Sequence, residues 1–193
     1  MPVKINFKVY QGSTFKETLR WETSTKVYKP VTSITNAAPA VITAVGHSIP
    51  VGWRFKVTNV VGMTDINSTD AIYTATSTTP DTITINALNS IAYKTYTSGG
   101  IVEYNQPVDL ATLTARMQIR AKLEDTVVIH ELTTENGGIA INNTLKTIEL
   151  IMPSTITTAL AFSSAVYSLE IINGTDVTTF ANGTISLIKE VTR

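Results

Sequence analysis

The 193 residues set 15 Lys and Arg against 15 Asp and Glu, so no net field draws the chain to nucleic acid or to an anionic membrane surface. Hydrophobic residues make up 43 % and charged residues 16 %, enough apolar material for one ordinary core or two small ones. Cysteine is absent, which excludes disulfides, thiolate nucleophiles and cysteine-ligated metals together.

In chain order the first element is VKINFKVY, where Val3, Ile5, Phe7 and Val9 alternate with Lys4, Asn6 and Lys8. A period of two predicts a half-buried strand over residues 3–10. The same start, MPVKINFKVYQGSTF, lacks the continuous apolar run of a signal peptide or membrane span, so a soluble chain made in the cytoplasm is expected. A second strand ends at Trp21. Beyond Tyr28-Lys29-Pro30-Val31 the punctuation changes, with Ala37-Ala38-Pro39, Gly46, Pro50, Gly52, Gly62 and Ser98-Gly99-Gly100. The run Tyr104-Asn105-Gln106-Pro107-Val108 then nearly repeats the Tyr-Pro-Val of the first flank. The flanks read as two sides of one loop. Residues 31–104 are expected to form a small β-module inserted into a discontinuous domain of residues 1–30 and 105–193.

Alternation resumes in LTARMQIR, where Leu113, Ala115, Met117 and Ile119 oppose Thr114, Arg116, Gln118 and Arg120, and recurs in TIELIMP and AVYSLEII. Asn136-Gly137-Gly138, Asn142-Asn143, Asn173-Gly174 and Asn182-Gly183 supply residues that tolerate tight hairpins. Abundant Thr, Val and Ile suit a pleated surface. The one helical expectation is PSTITTALAF, residues 153–162, too short to stand without packing. The fold class is all-β.

Residues 34–102, through ITNAAPAVITAVGHSIPVG, FKVTNVVGMTDIN, IYTATSTTPDTITI and YKTYTSGGIV, resemble a small β-barrel-like module common in phage structural proteins. That module is named for its similarity to the first catalytic-cysteine half-domain of ubiquitin-activating enzymes. Such modules commonly carry Gly-Asp after the histidine corner, where this chain has Gly52-Trp53. The enzymatic half of the name does not transfer, because ubiquitin activation needs a thioester cysteine. The outer pieces QGSTFKETLRWE, QPVDLATLTARMQIR, ELTTENGGIAI, TIELIMPSTITTALAF, YSLEIING and GTISLIKEVTR resemble a compact immunoglobulin-like β-sandwich domain of tailed-phage virion proteins. Relatives of that domain attach upper-baseplate proteins to a tail, and the insertion stands where a short loop would follow Trp21. The resemblance implies a virion component made in the bacterial host cytoplasm, whose partners are tail, baseplate or capsid subunits and copies of itself.

The candidate chemistry is sparse. His47 and Ser48, in Gly-His-Ser-Ile-Pro, could be a base and a nucleophile, but neighbours on a strand or turn point apart and no third group orients them. A turn whose imidazole caps a backbone carbonyl is expected instead. His130 and Glu131 should likewise face opposite ways, and two histidines make no zinc site. Asp65, Asp70 and Asp81 fit turn capping better than a calcium loop. Arg116 and Arg120 share a strand face, where pairing with Glu is expected. Trp21, Trp53, Tyr73, Tyr93 and Tyr96 could stack a sugar, but core packing is the more common fate. No catalytic, cofactor-binding or metal-ligating residue is assigned. The expected function is a non-enzymatic tail or baseplate adaptor without nucleic-acid or membrane partners, the alternatives being a capsid decoration protein or a carbohydrate-binding accessory module.

Overall fold

The computed structural model describes residues 2–69 and 72–189. The strands run β1 (Val3–Lys4), β2 (Phe7–Tyr10), β3 (Phe15–Leu19), β4 (Glu22–Pro30), β5 (Ser33–Ile34), β6 (Ala40–Thr43), β7 (Arg54–Val61), β8 (Tyr73–Thr74), β9 (Ser77–Thr78) and β10 (Thr82–Ile85). There follow β11 (Ser98–Pro107), β12 (Thr114–Arg120), β13 (His130–Thr133), β14 (Ile139–Asn142), β15 (Thr147–Met152), α1 (Ser154–Ala159), β16 (Ser164–Asn173) and β17 (Asp176–Ile188). The protein is all-β, and α1 occupies the stretch where the short helix is expected.

The chain divides into a split unit of residues 1–20 and 109–193 and a central unit of residues 21–108. These bounds differ from the expected 1–30, 31–104 and 105–193. The cause is β4, which pairs with β11 from Pro30↔Ile101 to Glu22↔Pro107 and so belongs with the central unit. The Tyr-Pro-Val flanks are thus adjacent strands of one ladder rather than two arms of a loop. They lie antiparallel, so like residues do not face each other: Tyr28 stands opposite Glu103 and Val27 opposite Tyr104.

The split unit has one sheet ordered β1-β17-β16-β12-β13, with β2 also on β17, and a second ordered β14-β15-β3. Period two is realised faithfully in β12 and β16. Ala115, Met117 and Ile119 are buried opposite Ile171, Leu169 and Tyr167, and Met117 also faces Leu132. In the smaller sheet Leu150 faces Ile139 and Met152 faces Phe15, all four buried. Gly174, at φ +60, makes the tight turn between β16 and β17, as the Asn173-Gly174 pair predicts. Asn136-Gly137-Gly138 makes a turn too, but one that passes from β13 in the first sheet to β14 in the second.

Two strand readings are corrected. The expected single strand over residues 3–10 is two, both parallel to β17, and Val3 is 55 % exposed rather than inward. Between them the chain bends so that Ile5 N–H donates to the Asn182 carbonyl at 2.9 Å and the Ile5 carbonyl accepts the Tyr167 hydroxyl at 2.9 Å. Asn182-Gly183 is the second correction: it lies inside β17 and turns nothing. A Cβ at Gly183 would stand 1.9 Å from the Ile5 carbonyl oxygen, so the glycine serves close backbone approach.

The central unit holds sheets β5-β6-β10-β9 and β4-β11-β7-β8. Its core gathers Ile42, Trp53, Phe55, Val57, Met63, Ile66, Ile83 and Val102. Side-chain amides cover strand edges in both units. Along β7, Val60 N–H donates to Asn67 Oδ1 at 2.8 Å and Asn67 Nδ2 donates back to the Val60 carbonyl at 3.0 Å. On the edge strand β13, Thr133 N–H donates to Asn136 Oδ1 at 2.9 Å and Asn136 Nδ2 donates to the Glu131 carbonyl at 3.0 Å.

Candidate functional site

The Gly-His-Ser-Ile-Pro corner follows β6, and the turn between β9 and β10 holds it. Asp81 Oδ1 accepts Gly46 N–H at 2.9 Å, the Asp81 carbonyl accepts Ala44 N–H at 2.8 Å, and Thr79 Oγ1 accepts Thr82 N–H at 3.0 Å within that turn. His47 is buried. Its Nδ1 accepts Ile49 N–H at 2.9 Å, which leaves the ring proton on Nε2, and Nε2–H donates to the Thr82 carbonyl at 3.1 Å. The Tyr104 hydroxyl donates to the His47 carbonyl. Burial pushes the imidazole below its ordinary 6.5, against the Thr82 and Thr79 backbone groups and the Asp81 charge.

Ser48 is exposed, at φ 52, while His47 turns inward. The corner therefore does not pair them. A neutral imidazole with one nitrogen accepting from an amide and the other donating to a carbonyl has no lone pair left for a serine proton. The expected carbonyl cap is present, and the sequence reading missed the second half of the device, in which Nδ1 closes the turn on Ile49.

The remaining candidates are dispersed. His130 stands opposite Ile119 on the core-facing side of β13, where burial pushes its pKa down, and Glu131 turns to the other face to accept Gln118 Nε2 at 2.7 Å. Asp81 caps a turn, Asp65 is exposed in the 3-10 turn Thr64–Ile66, and Asp70 lies outside the described residues. No three His, Asp or Glu side chains converge as a metal set among the described residues. Arg116 pairs with Glu170 at 2.6 Å as expected. Arg120 does not pair with Glu: its guanidinium donates to the Asp125 carbonyl and to Gln118 Oε1, each at 2.7 Å.

The five aromatics do not assemble a platform. Trp53 is fully buried and donates its indole N–H to the Asn105 carbonyl at 2.9 Å. Tyr73, Tyr93 and Tyr96 pack against the central core, with the Tyr96 hydroxyl donating to the carbonyls of Val31 and Gly99 and that of Tyr73 to Ile66. Trp21 is half-buried. A small groove on the central unit is lined by charges that satisfy one another: Lys26 with Glu103 at 3.2 Å, Arg54 with Glu22 at 3.5 Å, and Asn105 Nδ2 on Glu22 Oε2 at 2.8 Å.

One feature breaks the alternation. The connection between β12 and β13 carries Leu123, 81 % exposed, and Val127, 74 % exposed, followed by the part-exposed Val128 and Ile129. Arg120 holds it through the Asp125 carbonyl. The signal was Val127-Val128-Ile129 itself, since three consecutive apolar residues in an extended chain cannot all face one side.

No family model matches the chain, and no curated protein matches it in sequence. Among the described residues no helix is long and apolar enough to cross a membrane.

Proposed function

We propose that this protein is a non-enzymatic structural component of a tailed phage virion, a tail or baseplate adaptor that acts through protein–protein contacts. The supporting observation is the anchored apolar connection of residues 121–129. Several exposed large apolar side chains on one short connection favour a place that another protein covers, and the Arg120 bond to the Asp125 carbonyl restrains this connection, lowering the entropy that docking would cost. The sequence resemblance of the outer pieces to immunoglobulin-like virion domains, and of residues 34–102 to a module of phage structural proteins, supports this kind of assembly. The parent domain is the anchor in this reading, and the central module faces outward or bridges to a neighbour.

Mass spectrometry of purified particles should find the chain in the mature virion, and its confinement to infected-cell cytosol would sink the reading. The double substitution Leu123→Ser and Val127→Ser should leave the fold intact, because both side chains are already in water, and should reduce incorporation into particles.

A further inference from the structure

β4 is the longest strand with a single partner among the described residues, having β11 on one side only. Two hydrogen bonds fix which of its backbone groups are free. Val31 N–H donates to the Gly100 carbonyl at 2.9 Å, extending the register in which Pro30 faces Ile101 and Lys29 faces Val102. Bonding direction alternates along an antiparallel ladder, so Val31, Lys29 and Val27 bond toward β11 while Pro30, Tyr28 and Lys26 turn their backbone groups outward. Proline at position 30 agrees, since there its missing N–H costs no bond to β11. The Asn105 carbonyl agrees as well, because it leaves β4 alone and accepts the indole of Trp53, the residue leading into β7.

Two other strands carry side-chain covers: Asn67 closes on Val60 of β7, and Asn136 on Glu131 and Thr133 of the edge strand β13. On β4 the Thr23 hydroxyl accepts Thr25 N–H at 3.2 Å, but among the described residues no side chain closes on the backbone of Lys26 or Tyr28, and Ser24, Thr25, Lys26 and Tyr28 are exposed, Tyr28 by 59 %. We propose that two copies of this chain join edge to edge through β4, antiparallel about a two-fold axis at Val27.

The register follows from the outward groups. Pro30 has no N–H to give and Ser24 lies in the register shift of β4 against β11, so the pairing falls on Lys26 and Tyr28 of both copies. An axis at residue 26 sets lysine against lysine, and an axis at 28 sets Lys26 against Pro30, which lacks a donor. An axis at Val27 sets each Lys26 beside the other copy's Tyr28, joining four backbone hydrogen bonds to two ammonium–aromatic contacts. Edge lysines ordinarily repel an incoming strand. Here Glu103 holds Lys26 at 3.2 Å and offsets its charge. The pairing is self-complementary and consumes both edges, so it closes at two copies instead of propagating.

The test uses the full chain and no particle, so it stands or falls apart from the virion reading. Light scattering should give twice the monomer mass. Val27→Cys, in a chain with no other cysteine, should form a disulfide-linked dimer under mild oxidation, because residues on the axis form a pair with Cα atoms about 4.5 Å apart. Thr25→Cys, whose counterpart is Lys29, should not. Tyr28→Pro removes an outward N–H and no bond to β11, and should weaken the dimer at least tenfold with the circular dichroism spectrum unchanged. A monomeric parent at high concentration, equal cross-linking at 25 and 27, or a folded Tyr28→Pro protein that dimerises like the parent would each overturn the proposal. Should Tyr28→Pro fail to fold, the parent's mass and the cysteine pair decide.

Discussion

His47 behaves as a two-ended backbone clip. Its Nδ1 does for Ile49 what an asparagine oxygen does in an Asx turn, and its Nε2–H ties the corner to β10 at Thr82. His47→Ala should therefore cost about 2–4 kcal/mol in urea denaturation, from a cavity and two orphaned backbone groups. His47→Asn keeps the acceptor for Ile49 and should cost about half as much. The pH dependence has a definite sign. A folded-state pKa below the ordinary 6.5 means that the unfolded chain takes the proton more readily, so the stability tied to the neutral ring is fully present above pH 6.5. It is lost as pH falls from 6.5 through the folded value, at up to about 1.4 kcal/mol per pH unit. Melting temperature should drop between pH 7.5 and pH 5.5, and His47→Asn should remove the His47 share of that drop while leaving the share of His130, whose pKa burial also lowers. The acidic groups with depressed pKa values, Asp109 and Glu135, start from 3.8 and 4.5 and contribute only at lower pH.

Among the elements, the informative comparison is between two glycines that follow asparagine. Gly174 sits in a true hairpin with open space around it, so Gly174→Ala meets only the positive-φ penalty, about 1 kcal/mol. Gly183→Ala puts a methyl into the Ile5 carbonyl and should cost about 2–3 kcal/mol, with hydrogen exchange accelerating in β1 rather than throughout. Both read alike as Asn-Gly, and only a partner nearly the whole chain away separates them. Strand identity in β12, β15 and β16 was legible because both faces of those strands obey the alternation of burial. The break in residues 3–10 was not, since it answers to β17. The edge covers by Asn67 and Asn136 were equally hidden, because an asparagine in a loop looks like any turn residue until the strand beside it is known. Asn67→Ala should expose the Val60 N–H and carbonyl and cost about 1–2 kcal/mol on thermal melting.

At the scale of the molecule, punctuation points to a separate segment of residues 31–104, whereas the chain divides at residues 21 and 108. β4 and β11 carry the same alternation as parent strands, and nothing local tells to which unit they belong. Trp21 and Val108 mark the junction, with Val108 N–H donating to the Trp21 carbonyl at 3.0 Å. Joining Lys29 to Gln106 would strand residues 21–29 without their ladder. Joining Arg20 to Asp109 should leave a split unit that melts cooperatively with a β-type circular dichroism signal, and an aggregated or non-cooperative product would mean that the units depend on each other. The parallel pairing of β1 and β2 with β17 has a mechanical consequence. Tension applied at residues 3 and 188 pulls parallel neighbours in opposite directions along their length, so their ladder bonds are sheared together and cannot be peeled one at a time. The central unit, entering and leaving through a single hydrogen bond's width, lies off that load path and would ride unstretched while the split unit bore the force.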